Sequence, residues 1–353
     1  MHSNANNGAQ VAPTTTNEAA KAESPQALPK SLFQRYPIRS TFNIPEAPEK
    51  AEIQGMAPGL YGVPRIDPFY VFETERLRDL TMFWVGGFTF CVIEGDPSAG
   101  KSSLFEQWHA RLNVPLYKIS CGPTTENYHL IGQYLPTSEG TLKWHDGPVT
   151  RACREGSSVL LDEYNNLDPA EATALNLVLE GYSFMIPQTG EIIQPAPTTR
   201  IFGTQNSVDS LAAVAGRNVM DVANEDRCFY MEVDYLRPDL ETELVIRNLV
   251  AGGVSTALSE TIASMTVAVA NKVRRAFREG ADGIEKPIST RAVLRWAKLT
   301  AMYQPVLSKQ TRSGIHYALR RALKMPVTMA SAVNEMITLV AGYDENCRSK
   351  VGP

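Results

Sequence analysis

One glycine-rich segment carries the most recognisable chemistry of the sequence. Its letters, GDPSAGKSS, match the spacing G-x-x-x-x-G-K-[ST] that cradles the phosphates of a nucleotide. Glycines let successive backbone N–H groups face a phosphate, and the start of a following helix adds partial positive charge. Lys101 is expected to reach the β- and γ-phosphates of ATP, and Ser102 to hold Mg²⁺. The expected nucleotide contacts are Gly95, Asp96, Pro97, Ser98, Ala99, Gly100, Lys101, Ser102 and Ser103.

Two adjacent acids, Asp162 and Glu163, follow the apolar run SVLL further along the chain. Open parallel sheets bind ligands at the carboxyl ends of their strands, where these acids would lie. Asp162 is therefore expected to hold Mg²⁺, and Glu163 to act as the general base that polarises the attacking water. An acidic pair alone more often marks a solvated loop, but the phosphate-binding pattern upstream favours the catalytic interpretation.

Asn206 closes the next apolar run, RIFGTQN, and reaches the same predicted edge of the sheet. A buried asparagine needs hydrogen-bond partners, so Asn206 could orient the attacking water or contact the γ-phosphate. From the sequence alone, a plain turn residue at the end of a strand is an equally good interpretation.

The elements that must position these side chains alternate between apolar runs and helical patterns. Five short runs, TFCVIEG, PLYKISC, SVLLDEY, TRIFGTQN and CFYMEVDYL, are separated by helical stretches, which predicts a five-stranded parallel sheet in an α/β fold. A helix is expected over about 73–85, before the sheet. Past Arg237 helical periodicity continues to the end of the chain, which predicts an all-helical second domain.

Two local predictions concern the segments between the strands. Asp168, Pro169 and Glu171 suggest a capped helix start, in which Glu171 completes a capping box. Trp144 and His145 lie between the second and third predicted strands, where the family resemblance given below implies an inserted hairpin. A contact of this hairpin with a client is conceivable, and plain packing of Trp144 is the more common outcome.

Composition narrows the classes of protein. Among 353 residues, 43% are hydrophobic and 20% charged, which excludes wholesale disorder, and a net charge of -4 argues against a uniformly basic nucleic-acid coat. Five scattered cysteines suit a reducing compartment, and scattered histidines make a transition-metal site improbable. We find no apolar run of membrane-spanning length and no signal peptide, so cytoplasm is the expected location, without a membrane.

The chain divides into four predicted segments. Residues 1–30 contain no aromatic residue and are expected to form a disordered tail, and residues 31–87 an extended N-terminal arm leading into a helix. Residues 88–236 are expected to form the nucleotide-binding α/β domain. Residues 237–353 are expected to form the helical lid.

Over about residues 63–345 the sequence resembles the MoxR/CobS-type branch of the AAA+ ATPases, with its strongest likeness on the CobS side. The resemblance rests on the phosphate loop and on five further stretches in the same order: IDPFYVFETERLRDL, LDEYNN, IPQTGEIIQPAPTTRIFGTQN, GRNVMDVANEDR and PISTRAVLRWAK. It implies a P-loop NTPase core of the AAA+ type and a ring, usually of six subunits, with ATP between neighbours.

The resemblance also implies roles for three arginines. Arg227 would be the arginine finger that reaches the γ-phosphate of the next subunit, Arg200 would lie near the same junction, and Arg291 would be the lid's sensor arginine. Asn206 would be the sensor asparagine. From the residues alone, each arginine could equally be a surface residue or a salt-bridge partner.

The function expected from this resemblance is Mg-ATP hydrolysis that remodels or activates a protein partner, with a von Willebrand A-type or chelatase subunit as candidates. Residues 237–353 carry a net charge of +7 and residues 1–236 a net charge of -11, which favours contact between neighbours in a ring. The basic lid could instead face nucleic acid, so a motor acting on nucleic acid is the alternative. An assembly scaffold with negligible turnover is a third interpretation.

Overall fold

The structure, a computed structural model, describes residues 28–206 and 226–349. Its strands are β1 (Phe33–Pro37), β2 (Glu52–Met56), β3 (Phe90–Gly95), β4 (Leu116–Ser120), β5 (Gly132–Pro136), β6 (Leu142–Asp146), β7 (Ser158–Asp162), β8 (Phe184–Met185), β9 (Ile192–Ile193), β10 (Arg200–Asn206) and β11 (Phe229–Val233). Its α-helices are α1 (Ile38–Phe42), α2 (Thr74–Val85), α3 (Lys101–Leu112), α4 (Asn127–Ile131), α5 (Pro148–Glu155), α6 (Pro169–Thr173), α7 (Asn176–Leu179), α8 (Pro238–Ala251), α9 (Thr256–Arg278), α10 (Thr290–Leu307), α11 (Gly314–Ala322) and α12 (Val327–Ala341).

The predicted five-stranded parallel sheet is confirmed, in the spatial order β11-β3-β10-β7-β4. The central strands β3, β10 and β7 are buried on both faces, as expected when helices cover a parallel sheet, whereas the edge strands β4 and β11 alternate between buried and more exposed residues. Strand β10 lies between β3 and β7, and its register pairs Asn206 with Gly95. The end of β10 therefore lies between the glycine-rich segment and the acidic strand.

The expected extended arm is instead folded. Strands β1 and β2 pair antiparallel, and the segment packs against α3, where the ring of Phe42 stacks on Trp108 with centroids 4.9 Å apart. Burial of Phe42 and Ile53 in this contact favours the compact arrangement. Helix α2 confirms the helix expected at 73–85. Apart from residues 28–30, the predicted disordered tail lies outside the described residues.

The all-helical character of the C-terminal region is confirmed over the described residues, with five α-helices, α8 to α12. Trp296 is fully buried at their centre, where its indole Nε1 donates a hydrogen bond to Ile315 O at 2.9 Å. None of the helices in residues 28–206 and 226–349 is long and apolar enough to span a bilayer. The four segment boundaries given above stay a prediction.

The local predictions were met in part. Asp168 caps α6, because its Oδ1 accepts a hydrogen bond from Ala170 N at 2.8 Å. Glu171 does not complete a capping box there; its Oε2 accepts from Asn127 N at 2.7 Å and ties α6 to the start of α4. The inserted hairpin is present as β5 and β6, and Trp144 is half-buried within it.

Candidate functional site

The glycine-rich segment joins β3 to α3, the strand-loop-helix context that a phosphate-binding loop requires. Gly100 has φ +93°, which favours glycine, and the space around its Cα is open. Gly95 has another reason to be glycine, because a Cβ would lie 2.0 Å from Val233 O of the neighbouring strand. Gly100 is therefore needed for the curvature of the loop, and Gly95 for the packing of the sheet.

Lys101 lies at the start of α3 and is almost fully buried. Its Nζ donates hydrogen bonds to Gly95 O at 2.8 Å, Asp96 O at 2.9 Å and Asn206 Oδ1 at 2.9 Å. These neutral oxygens satisfy the ammonium within the loop, and the oxygens of a phosphate could replace them with stronger, charge-assisted bonds. Lys101 and Asn206, which are 105 positions apart, thus meet at one edge of the sheet.

The carboxylate of Asp162 contacts three side chains at the same edge of the sheet. Its Oδ1 accepts hydrogen bonds from Ser102 Oγ at 2.6 Å and Thr204 Oγ1 at 2.7 Å, and Lys118 Nζ lies 3.1 Å from its Oδ2. Burial favours the neutral form of this carboxyl, but the bonds from both hydroxyls and the charge of Lys118 outweigh burial. The pKa of Asp162 therefore lies below its ordinary value.

This donor set fits Mg²⁺. A hydroxyl and a carboxylate oxygen of Ser102 and Asp162 are already in contact, and Mg²⁺ prefers such hard oxygen ligands. Within the described ranges, no group of three or more histidine, cysteine, aspartate or glutamate side chains could form an all-protein cage. Mg²⁺ bound with a nucleotide commonly takes one or two protein oxygens and completes its shell with phosphate and water.

Glu163 projects from the end of β7 with its backbone in the left-handed region, at φ 59°. Such a conformation in a residue other than glycine is held by its surroundings, here by a hydrogen bond from Glu163 N to Thr204 Oγ1 at 2.9 Å. The side chain is exposed, and its Oε2 accepts from Asn166 Nδ2 at 3.1 Å. Glu163 is thus placed beside Asp162 with its carboxylate open to water.

The three arginines lie in different places. Arg291, near the start of α10, lines a cavity of about 280 Å³ together with Ser98, Ala99, Gly100 and Ser103 of the loop and α3. Arg227 forms an ion pair with Glu180 of the same chain.

The expectation that Arg200 lies near the same junction as Arg227 stays a prediction, and the register puts both beside the start of β3, because Ile201 pairs with Phe90 and Phe229 with Cys91. Arg200 lies at the opposite end of β10 from Asn206, so at about 3.3 Å per residue the two lie roughly 20 Å apart. Arg200 is also buried, with 8% of its surface exposed. The strand's direction therefore takes it away from the edge that holds the phosphate loop.

Sequence reasoning missed Thr204 and Lys118, both of which bind Asp162. Thr204 is two residues before Asn206, so strand alternation puts both side chains on one face, and that signal could have identified it. Lys118 stands inside an apolar run, PLYKIS, where a charged residue near the end of a strand was the available signal. The N-terminal segment also contributes Asp67, Tyr70 and Val71 to the cavity beside the loop.

The lid is connected to the phosphate loop through a second set of contacts that the sequence did not reveal. Tyr235 OH donates to Pro97 O at 3.1 Å, and the guanidinium of Arg274 stacks 4.1 Å from the centre of the Tyr235 ring. Arg278 of α9 lies 3.8 Å from a carboxylate oxygen of Asp96. A shift of α9 would therefore change the contacts that Asp96 and Pro97 of the phosphate loop make.

Comparisons with known proteins agree with this architecture. Residues 91–228 match the AAA domain of the dynein-related subfamily, and residues 247–340 match the CbbQ/NirQ/NorQ C-terminal domain. NorQ of Paracoccus denitrificans is 28% identical over 71% of this chain and 84% of its own length. The aerobic cobaltochelatase subunit CobS of Sinorhizobium is 29% identical over 67% of this chain and 72% of its own. The denitrification regulatory protein NirQ of Stutzerimonas stutzeri is 27% identical over 66% and 79%.

Proposed function

We propose that this chain, an AAA+ ATPase of the NorQ/NirQ/CobS type, hydrolyses Mg-ATP and uses the cycle to remodel or activate a partner protein. It carries an AAA domain followed by a CbbQ/NirQ/NorQ C-terminal domain. The observation that carries the proposal is the meeting of Lys101, Ser102, Asp162 and Asn206 at the carboxyl edge of one sheet. Phosphoryl transfer depends mainly on positioning and charge stabilisation, which this arrangement supplies.

Binding is assigned to the loop and the acidic strand. Lys101 exchanges the carbonyls of Gly95 and Asp96 for phosphate oxygens, and Ser102 with Asp162 holds Mg²⁺. Mg-ATP supplies the γ-phosphoryl group and a divalent charge that offsets the negative charge of the transition state. The remaining loop residues from Asp96 to Ser103 wrap the phosphates, and all of them except Pro97 have a backbone N–H group to donate.

Catalysis is assigned to the groups around the γ-phosphate position. Glu163 accepts a proton from the attacking water as the general base, and Asn206 orients that water or the γ-phosphate. Arg291 approaches from the lid and adds positive charge at the loop.

Assembly forms the second part of the proposal. In a six-membered ring, Arg227 would reach the nucleotide of the neighbouring subunit and stabilise the charge that develops there. Within one chain Arg227 pairs with Glu180, so this action requires the ion pair to exchange for phosphate oxygens.

A protein partner is supported by what the relatives are called. CobS is by name a subunit of an aerobic cobaltochelatase, and NirQ is by name a regulatory protein of denitrification. These names support a chelatase subunit as the client, and the sequence resemblance leads us to propose a von Willebrand A-type subunit beside it. The alternative, a motor acting on nucleic acid, is not favoured by these comparisons.

The decisive experiment is Glu163→Gln, with Glu139→Gln as the control, an exposed acid on the β5–β6 hairpin. Loss of a general base should lower ATP turnover by about 10²–10⁴-fold while ATP binding persists. Phosphate release and fluorescent-nucleotide binding measure the two properties. Unchanged turnover in Glu163→Gln would contradict the assignment, and a wild-type protein that binds but never hydrolyses ATP would point to the scaffold.

The partner is tested with the same variant. Glu163→Gln, held in its ATP state, should retain a chelatase or von Willebrand A-type protein from the native host, and Lys101→Met should not. Retention of DNA or RNA with salt-sensitive affinity would instead favour the motor.

A further inference from the structure

The buried Arg200 lacks an acidic partner. Its Nη1 donates to Pro197 O at 2.9 Å and Thr199 O at 2.8 Å, but its Nε is buried without a hydrogen bond. No carboxylate forms an ion pair with it in residues 28–206 and 226–349, and burial alone lowers the pKa of its guanidinium. Arginine rarely occupies such a position unless its charge is compensated.

The cost of burying the unpaired guanidinium charge of Arg200 is large on the scale of the free energy of folding. A buried charge strongly destabilises the folded state unless it is paired, even after the surroundings relax. Two backbone carbonyls and the Trp84 ring, 5.6 Å from the guanidinium carbon, offset part of that cost. A cation–π contact is weak compared with the cost of burying a charge, so an anion is still the group that this position lacks.

A cavity of about 290 Å³ opens beside Arg200, at the opposite end of β10 from the phosphate loop. Arg35 lines the same cavity and forms no ion pair among the described residues. One acid, Glu52, also lines it, so arginine charge exceeds acidic charge. The volume is near the lower end of small-molecule sites, about 300 Å³.

We propose that this cavity binds a small oxyanion, the phosphate or carboxylate group of a small molecule, through Arg200 and Arg35. Arginine's planar donors match the paired oxygens of both groups. Arg200 supplies a fixed charge inside the cavity, and Arg35 closes on the ligand from the exposed strand β1. The site is distinct from the nucleotide site, since roughly 20 Å of strand separates Arg200 from Asn206.

The test uses the full chain with Lys101→Met, so that the phosphate loop no longer dominates phosphate binding. Inorganic phosphate, and acetate in a parallel titration, should bind saturably in a calorimeter. Adding Arg200→Met or Arg35→Met should weaken that binding at least about tenfold, since each removes a charge-assisted hydrogen bond. Arg35 is exposed, so its variant should fold even if Arg200→Met does not. Arg320→Met, which removes an exposed arginine of the lid, is the matched control and should change nothing.

Thermal unfolding gives an independent sign test. Without phosphate, Arg200→Met should be as stable as its parent or more so, because an unpaired buried charge has been removed. With saturating phosphate the parent should become the more stable protein, because the anion binds only its folded state. The proposal is overturned if neither phosphate nor acetate binds the Lys101→Met chain. It is also overturned if adding Arg200→Met leaves the affinity for both anions unchanged. The nucleotide assays of Glu163→Gln are unaffected by either result.

Discussion

Replacing Thr204 with valine should disable the site without disturbing the phosphate loop. Thr204 is buried in β10 and 1% exposed, and valine has nearly the same shape. The change removes the hydroxyl that donates to Asp162 Oδ1 at 2.7 Å and accepts from Glu163 N at 2.9 Å. Losing one bond to a charged group and one neutral bond should lower the free energy of unfolding by about 2–4 kcal/mol.

The effect on catalysis should exceed the effect on binding. Thr204 makes no hydrogen bond to the phosphate loop in the described part of the chain, so ATP affinity should change little. Glu163 would lose the hydrogen bond that holds its left-handed backbone, so the proposed general base would be misplaced. We expect this to raise the activation free energy by about 1.4–2.7 kcal/mol, which lowers kcat about 10–100-fold. Phosphate release at saturating ATP measures kcat, and urea unfolding measures stability.

Thr204→Ser is the matched control, because it keeps the hydroxyl and removes one methyl group. It should lose about 1 kcal/mol of stability and keep most of its turnover. If Thr204→Val retained kcat within twofold, Thr204 would not position Glu163. Equal losses in the serine and valine variants would show that packing, and not the hydroxyl, is what matters.

Three further predictions concern stability and are measured by chemical denaturation. Ser98 has φ 60°, so Ser98→Gly should raise the free energy of unfolding by about 0.5–1 kcal/mol. Arg274→Met should lower it by about 3–5 kcal/mol, because it leaves the fully buried Glu241 unpaired, and adding Glu241→Gln should restore most of the loss. Burial lowers the pKa of His109 from 6.5 to about 4, so the unfolded chain binds more protons between these values. Stability should therefore fall by about 3 kcal/mol from pH 7 to pH 4, and His109→Gln should remove that component.

The elements of the nucleotide-binding domain were predictable because their signals are local. Each of the five strands is an apolar run bounded by turns, and the phosphate loop has a fixed spacing. The positions of Asp162 and Asn206 followed from the rule that ligands bind at the carboxyl ends of parallel strands.

What the sequence left open depends on long-range order. Thr204 can reach both Asp162 and Glu163 because β10 lies beside β7, and the order of strands in a sheet has no local signature. The N-terminal segment is apolar enough to fold, but its packing against Trp108 of α3 joins residues more than 60 positions apart. Arg200 shows the converse case, since the length of β10 alone places it roughly 20 Å from Asn206, at the other end of the strand.

The opposed charges of the two halves also take a different meaning. They were expected to hold neighbouring subunits together, yet Arg278 of the lid forms ion pairs within its own chain, with Asp234 and, at 3.8 Å, with Asp96. Asp96 belongs to the phosphate loop, and Tyr235, beside Asp234, donates to Pro97 O of that loop. Part of the opposite charge of the two halves therefore holds the lid onto the nucleotide-binding domain. Because the same contacts reach the loop, we predict that nucleotide binding and the position of the lid influence each other.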